Sequence, residues 1–475
     1  MKTNEKEVVL GMPNKIGESN LEIEAKVHIG RTAIPGAILS INRQKLVMEI
    51  FNLNKIIKID EKIDMLSIIK SKKNIYSGMA IVENIVDTGM TNIVSINLMD
   101  YWCKQPEVMA TQLIRGNQAS TFVETWRKDC AINDNYKYVI NEFHGFLGGT
   151  FKWIEQQNLN TVNLNKKIMC DDNLDEIAAP LIRRIGNYFC ELEEEAKKID
   201  PELAAPYRAF CQANLHPAIL RAPFVFRAYT KPLGYAGDYK MVNQINDDPW
   251  HGPNTYFKII NTAFLRSSIA DAHRNRIDIL YGFLVRMAER AQISGKKFHI
   301  LNVGCGPAIE IQRFMKDYKN PEWLSFELID FNSETLEWTR NALKAICEDR
   351  NKPLQCDFVL ESVHNLLKRQ MRELSAISRR FDAVYCAGLF DYLSDKICIK
   401  LVQNFSLQTV ANGEILVTNV HSNFSNKYAL EHILEWYLNY RDEQGMERLL
   451  PFGVKEQSIY VDATGVNIFM EAKIS

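Results

Sequence analysis

The sequence carries almost no net charge. Its 57 Lys and Arg residues are balanced by 58 Asp and Glu residues, which leaves a formal charge of −1. A protein without a global positive field is not expected to take nucleic acid or an anionic membrane as its main partner.

The chain also lacks long apolar runs and paired cysteines. No stretch approaches the roughly 20 apolar residues of a membrane span, and the start, "MKTNEKEVVLGMPNK", has no apolar segment of signal-peptide type. The ten cysteines form no CxxC pair and no Cys/His cluster with metal-ligand spacing, so no metal site is expected. These features predict a cytoplasmic protein with reduced thiols.

At 475 residues the chain is long enough for two or three domains. Residues 1–104 contain short β-branched segments such as "NIYSGMAIVENIV", which are typical of a small all-β barrel or sandwich. Apolar residues three and four apart predict a helical segment over residues 105–260. Residues 261–475 alternate strand and helix patterns, which predicts a Rossmann-like, doubly wound α/β sheet whose last predicted helix is "KYALEHILEWYLNYR".

A glycine turn follows the first strand of this α/β part, in "HILNVGCGP". Gly304 and Gly306 permit a sharp bend close to a ligand. The next strand, "LSFELID", ends in Asp330, where a carboxylate can accept hydrogen bonds from both hydroxyls of a ribose. The third glycine of a dinucleotide-binding GxGxxG loop is missing, and Pro307 offers no N–H to a phosphate.

These stretches resemble the motifs of class I S-adenosylmethionine-dependent methyltransferases. "LNVGCGP" is similar to the first motif, "ELIDFN" to the ribose motif, and "FDAVYCAGLFDYL" to the fourth-strand motif where the acceptor meets the methyl group. The resemblance implies S-adenosyl-L-methionine as cofactor and a small molecule as acceptor. It implies cofactor contacts from the loop, the ribose motif and the end of the third strand, namely Gly304, Cys305, Gly306, Asp330, Phe331, Ser362 and Val363.

Three further stretches, "KPLGYAGDY", "AHRNRIDIL" and "GLFDYLSD", resemble a narrower bacterial family. Its members include enzymes that make 3-hydroxypalmitic acid methyl ester, an extracellular signal. That resemblance implies carboxyl O-methylation of a hydroxy or fatty acid. The family's turn is expected to read "KPRGYAGDY", whereas this chain has Leu233 in place of the arginine, which puts the acceptor's identity in question.

The turn "KPLGYAGDYK" has little apolar surface apart from its tyrosine rings. We expect it to fold over the sulfonium and the acceptor as a lid, with Gly234 and Gly237 permitting the tight path. Tyr235 is assigned to the cofactor, Asp238 to the acceptor and Tyr239 to catalysis. The alternative is a surface loop in which Asp238 merely starts a helix.

Arg274 and Arg276 lie two residues apart on a predicted helix, so they point to different faces. One of them is expected to clamp a carboxylate, with Arg276 assigned to the cofactor and Arg274 to the acceptor. The alternative is a solvated helix face.

Asp391, Tyr392 and His421 follow the fourth and fifth predicted strands, at the functional edge of the sheet. A carboxylate acceptor needs no base, whereas a hydroxyl or amine acceptor would need Asp391 or His421 to remove a proton. Tyr392 is assigned to the acceptor, although it could instead be packed core, and His421 could be a structural histidine.

The N-terminal segment resembles a degenerate PilZ-type barrel. Such barrels bind cyclic dinucleotides through an RxxxR motif, but only Arg31 and Arg43 lie near the expected place, so this binding is not expected. A packing or partner-binding role is the expected one, and a homodimer is left open. The other function class is a non-catalytic signalling protein that senses the cofactor.

Overall fold

The computed structural model describes residues 23–29, 32–41, 45–50, 58, 61–70, 73–87, 92–100, 132–157, 159, 171–362, 365–367 and 380–475. In these ranges an antiparallel β-structure comes first, a group of helices second and a mainly parallel sheet last. None of the helices described combines the length and the apolar character needed to cross a membrane.

The N-terminal strands pair antiparallel in the closed order β1-β2-β3-β6-β5-β4. They are β1 Ile23–Ile29, β2 Thr32–Ile41, β3 Lys45–Ile50, β4 Lys62–Lys70, β5 Lys73–Asp87 and β6 Asn92–Leu98. Alternate residues such as Leu46, Met48 and Ile50 are fully buried, as expected for one face of a pleated strand. The PilZ type stays a prediction, and Arg31 and Arg43 lie outside the described residues.

The helices that precede the parallel sheet are α1 Asp134–Gln156, α2 Asp171–Ala196, α3 Ala204–Ile219, α4 Pro223–Thr230, α5 Tyr239–Asn246, α6 Thr255–Leu265 and α7 Ser268–Ser294. Their shared core contains the stacked rings of Phe143 and Tyr188, 4.8 Å apart, and extends to Val420 at the end of a sheet strand. Helix α6 crosses residue 260, so the predicted boundary there falls inside a packed helix. The division into three domains stays a prediction.

The C-terminal sheet contains β7 Phe298–Val303, β8 Leu324–Asp330, β9 Cys356–Leu360, β10 Phe381–Cys386, β11 Thr409–Val420, β12 Val454–Val461 and β13 Asn467–Ile474. The order is β12-β13-β11-β10-β7-β8-β9, and β13 runs antiparallel to both of its neighbours. The order reverses between β7 and β10, which is the place where open α/β sheets bind ligands. The predicted mainly parallel sheet is confirmed.

The helices of this part are α8 Ile309–Asp317, α9 Ser333–Asp349, α10 Asp395–Gln408, α11 Lys427–Leu434 and α12 Glu443–Glu447. Helix α11 is shorter than predicted, because Glu435 takes a left-handed conformation with φ of 50°. This conformation costs about 1–2 kcal/mol for a non-glycine residue. The Lys231 ammonium stabilises it by donating to the Glu435 carbonyl oxygen at 2.7 Å. The chain therefore leaves the helix at Glu435, and residues 435–440 form neither helix nor strand.

Candidate functional site

A cavity of about 1340 Å³, including its mouth, lies at the carboxyl ends of β7, β8 and β10. It is placed where the strand order reverses, as expected for a ligand site in this architecture. Nine of the residues that were assigned to the cofactor, the acceptor or catalysis line it, namely Tyr235, Arg276, Gly304, Cys305, Gly306, Asp330, Phe331, Asp391 and Tyr392.

The glycine turn forms the floor of this cavity. Gly304 has φ of 69° and Gly306 has φ of 51°, a region that favours glycine. The backbone N–H groups of Gly304 and Cys305 both donate to the Ile329 carbonyl oxygen, at 2.8 and 3.0 Å. These bonds hold the turn against the end of β8. The Cys305 thiol is buried, and burial raises its pKa well above the ordinary value, so it remains protonated.

Asp330 lies beside the turn, at the last position of β8, and is 5% exposed. Its Oδ2 accepts a hydrogen bond from the Gly306 N–H at 3.0 Å, and its Oδ1 accepts one from the Asn332 N–H at 2.9 Å. Burial raises the pKa of Asp330 to about 6, although these backbone donors oppose the shift. Each oxygen keeps acceptor capacity for a ligand hydroxyl.

A buried polar cluster that we did not predict stands on the other side of the turn. The Tyr385 hydroxyl donates to Glu310 Oε1 at 2.7 Å, and the Asn302 amide donates to both partners, at 3.2 Å to Glu310 Oε1 and at 2.9 Å to the Tyr385 hydroxyl. Burial raises the pKa of Glu310 above its ordinary value. The hydrogen bond from Tyr385 and the nearby Arg276 guanidinium oppose this increase without cancelling it. The available sequence signal was an acidic residue in the first turn of the helix after the glycine loop.

Arg276 brings a buried positive charge to the same cavity. Its guanidinium lies so close to Gly388 that a Cβ there would be 3.0 Å from a guanidinium nitrogen. It donates to His273 Nδ1 at 2.8 Å, and burial next to this cation holds the pKa of His273 well below its ordinary value. Burial raises the pKa of Asp391 to about 6, while Arg276 acts in the opposite direction.

The tyrosine-rich turn closes one wall of the cavity. The ring of Tyr235 packs against that of Phe331, with 5.2 Å between centroids. Burial raises the pKa of the Tyr235 hydroxyl, and the Asp330 carboxylate raises it further, so the hydroxyl stays neutral at physiological pH. Gly237 has φ of 82°, and a Cβ there would be 2.8 Å from the Tyr392 hydroxyl. Glycine is therefore required at this contact.

Trp436 forms the adjacent wall and was also missed. Its indole N–H donates to the Tyr392 hydroxyl at 3.0 Å, and that hydroxyl donates to the Ala236 carbonyl oxygen at 2.8 Å. The predicted long helix placed Trp436 on a helix face. In the structure it lies just after the end of the helix at Glu435 and lines the cavity.

Arg274 does not line the cavity. Its guanidinium donates to the carbonyl oxygens of Ile245 and Leu265, at 2.6 and 2.7 Å, and to Asp271 at 2.7 Å. The two arginines do lie on different helix faces, as their spacing predicted, but Arg274 is engaged in tying α5 and α6 to α7. The assignment of Arg274 to the acceptor is therefore not supported by its position.

Asp238 and Tyr239 lie behind the cavity wall. The Asp238 carboxylate accepts from the Met241 N–H at 3.0 Å as the cap of α5, and it forms an ion pair with Arg227 at 2.8 Å. The Tyr239 hydroxyl donates to Glu334 at 2.7 Å. The helix-capping alternative describes Asp238, and neither side chain contributes to the cavity lining.

His421 and Ser362 also lie away from the cavity lining. His421 is buried, accepts from the Asn423 N–H at 3.1 Å and stands 3.4 Å from a carboxylate oxygen of Glu443. The Ser362 hydroxyl accepts from the Asn365 N–H at 3.2 Å. Val363 lies outside the described residues.

No protein-family model and no curated protein matches this chain. Among solved structures, a Bordetella parapertussis chain described as a possible exported protein is 13% identical over 65% of this chain and 99% of its own, with a TM-score of 0.42. Magnesium protoporphyrin IX methyltransferase from Synechocystis, with bound S-adenosylhomocysteine, is 11% identical over 53% of this chain and 98% of its own, with a TM-score of 0.35.

The N-methyltransferase NodS from Bradyrhizobium japonicum, in complex with S-adenosyl-L-homocysteine, is 11% identical over 42% of this chain and 87% of its own, with a TM-score of 0.28. All three likenesses are distant.

Proposed function

We propose that this protein is an S-adenosylmethionine-dependent methyltransferase that acts on a small molecule. The single observation that carries the proposal is the buried Asp330 carboxylate next to the Gly304–Gly306 turn, on the strand adjacent to the one that the turn follows. This arrangement suits a ribose, because hydroxyl groups donate to carboxylate oxygens while the turn lets the ligand approach the backbone.

The charges of the cavity also suit this cofactor. Its amino-acid end carries an ammonium and a carboxylate, and the cavity offers the Glu310 carboxyl and the Arg276 guanidinium close to each other. The aromatic ring of Phe331 and the neutral Tyr235 stand beside Asp330, where they would cover the sugar and the base. These residues are the ones that would hold the cofactor.

S-adenosylmethionine supplies a methyl group on a positively charged sulfur, which is already activated towards a nucleophile. The protein then needs to align the acceptor and to exclude water. Tyr235, Tyr392 and Trp436 would exclude water, since these aromatic residues line the cavity. Alignment would come from Arg276 and from the backbone around Gly388.

We further propose that the methylated atom is a carboxylate oxygen of a hydroxy or long-chain acid, which gives a methyl ester. A carboxylate is ionised at neutral pH and needs no general base. Arg276 supports this assignment as a buried cation in the cavity, although the same guanidinium could bind the cofactor's carboxylate. The resemblance of "KPLGYAGDY" to the ester-forming family supports it as well.

Asp391 supports a second candidate, which is methylation of a hydroxyl group. Its carboxylate lines the cavity, and a pKa of about 6 leaves it largely ionised at neutral pH and able to accept a proton. His421 is less suited to this role, because it does not line the cavity.

The test is to incubate the purified protein with methyl-labelled S-adenosylmethionine and a panel of 3-hydroxy fatty acids, other hydroxy acids and amines. Mass spectrometry would identify the products. A base-labile methyl ester is expected, whereas a base-stable product would replace the carboxylate by a hydroxyl or amine. Cofactor binding without turnover on any acceptor would favour the sensing role, and no cofactor binding would refute the proposal.

A further inference from the structure

A second cavity of about 2010 Å³ adjoins the first one. Four residues line both cavities, namely Tyr235, Tyr392, Trp436 and Leu438. A molecule in the second cavity would therefore contact the same wall as a cofactor in the first. The N-terminal strands contribute to it as well, through residues such as Lys45 and Glu83.

Arg208 on α3 lines this second cavity and is only 8% exposed. Its guanidinium lies over the ring of Tyr437, 5.7 Å from the ring centroid. Among the residues that the structure describes, no carboxylate lies within 4 Å of this guanidinium and no acceptor takes a hydrogen bond from it, yet none of its nitrogens is sealed from solvent. The guanidinium therefore stays open to an anion that enters the cavity.

The acidic groups around Arg208 do not substitute for such an anion. Glu435 forms an ion pair with Lys45 at 3.6 Å, and its carbonyl oxygen accepts from Lys231 at 2.7 Å. Burial raises the pKa of Glu431 and Arg208 acts in the opposite direction, as it does on Glu435, but neither carboxylate forms a direct ion pair with this guanidinium. Arg208 is thus the cation whose position suits an incoming carboxylate or phosphate.

We propose that the second cavity holds the methyl acceptor and that Arg208 binds an anionic group of it, a carboxylate or a phosphate. This group is a second anion of the acceptor, additional to the carboxylate that receives the methyl group. The identification of the bound molecule as a methyl acceptor rests on the proposed function. The anion site itself follows from Arg208 and its surroundings. The N-terminal strands then form the outer wall of the acceptor site.

Calorimetry with three probes of equal chain length tests this proposal, using a medium-chain carboxylic acid, the corresponding alkyl phosphate and the neutral alcohol. The two anions are expected to bind the full-length protein more tightly than the alcohol. Arg208→Met should weaken anion binding by about tenfold or more and leave alcohol binding unchanged. The tighter of the two anions identifies the anionic group.

Arg221→Met is the matched control, because Arg221 lies over the ring of Phe257, 5.1 Å from its centroid, and does not line the second cavity. It should bind all three probes as the unchanged protein does. Equal anion affinity in folded Arg208→Met and in the unchanged protein would overturn the proposal. If Arg208→Met does not fold, the neutral and polar Arg208→Gln replaces it, and unchanged anion affinity in that variant has the same meaning.

Binding of S-adenosylhomocysteine is measured on the same preparations. If S-adenosylhomocysteine binds while anion affinity does not depend on Arg208, this inference fails and the proposed function stands. If the anions depend on Arg208 while S-adenosylhomocysteine does not bind, the anion site stands and the proposed function fails.

Discussion

The hydroxyl of Tyr392 links two separate pieces of the chain, because it accepts from the Trp436 indole at 3.0 Å and donates to Ala236 at 2.8 Å. Tyr392→Phe would leave a buried indole N–H and a buried carbonyl without this partner. We expect it to lower the free energy of unfolding by about 1–3 kcal/mol. Chemical denaturation measures the change. Tyr138→Phe, at a site that is 66% exposed, should have no such effect.

Gly234 and Gly237, both in the tyrosine-rich turn before α5, provide a matched pair of variants. Gly234 has φ of 88° and open space around its Cα, whereas Gly237 has φ of 82° and stands against the Tyr392 hydroxyl. Alanine at either position is expected to cost about 1–2 kcal/mol for the left-handed backbone. Only Gly237→Ala should also displace Tyr392 and reduce methyl transfer. Similar activity in both variants would contradict the packing seen here.

Asp330 should make cofactor affinity depend on pH. Ribose hydroxyls need the ionised carboxylate, and the pKa of Asp330 is raised to about 6. Affinity for S-adenosylhomocysteine is therefore expected to be constant above about pH 7 and to fall about tenfold per unit well below the pKa. Calorimetry over a pH series would show this.

Two variants separate Asp330 from Asp391, whose pKa is also about 6. Asp330→Asn should bind the cofactor product about ten- to a hundredfold more weakly at neutral pH, since a charge-assisted hydrogen bond contributes roughly 1.5–3 kcal/mol. It should also lose the pH dependence, which Asp391→Asn should keep. A normal pH profile in Asp330→Asn would place the titrating group elsewhere.

Arg274 and Arg276 should differ in what they affect. Arg274→Met removes two hydrogen bonds that connect helices and one within α7, so we expect a loss of about 2 kcal/mol in stability with unchanged ligand affinity. Arg276→Met removes the cation beside Asp391 and Glu310, and it should weaken ligand binding by about tenfold or more. Chemical denaturation measures the stability of both variants, and calorimetry measures their ligand affinity. Lower ligand affinity in Arg274→Met together with unchanged ligand affinity in Arg276→Met would contradict this assignment.

The sequence predicted the C-terminal sheet well, because each strand there is a short apolar run followed by a helix of clear periodicity. It also predicted that Gly304, Gly306 and Asp330 lie close together, because the carboxyl ends of adjacent parallel strands meet at one edge of the sheet. The spacing of Arg274 and Arg276 correctly predicted that their side chains lie on different faces of α7. Which of the two faces the cavity depends on how α7 packs, and the spacing does not show this.

Other parts of the site depend on contacts between distant segments. Helix α11 ends at Glu435, which is contacted by Lys231, about two hundred residues earlier in the chain. The local sequence pattern contains no sign of this contact, and it therefore predicted a helix that continues through Trp436. Glu310 also looked like an ordinary acidic residue in a first helical turn. Its partners, Asn302 and Tyr385, come from two different strands.

The turn before α5 is fixed at both ends, by the Lys231 ammonium on Glu435 and by the Arg227 ion pair with Asp238. Only residues 232–237 lie between these anchors. Six residues extend to roughly 20 Å at most, so this piece can move away from the cavity only within the reach of its two anchors. That motion must break the hydrogen bond from Tyr392 to the Ala236 carbonyl oxygen and the packing of Tyr235 on Phe331. Lid opening of this kind takes microseconds to seconds, so exchange of ligands would be limited by these local contacts and not by the motion of a whole domain.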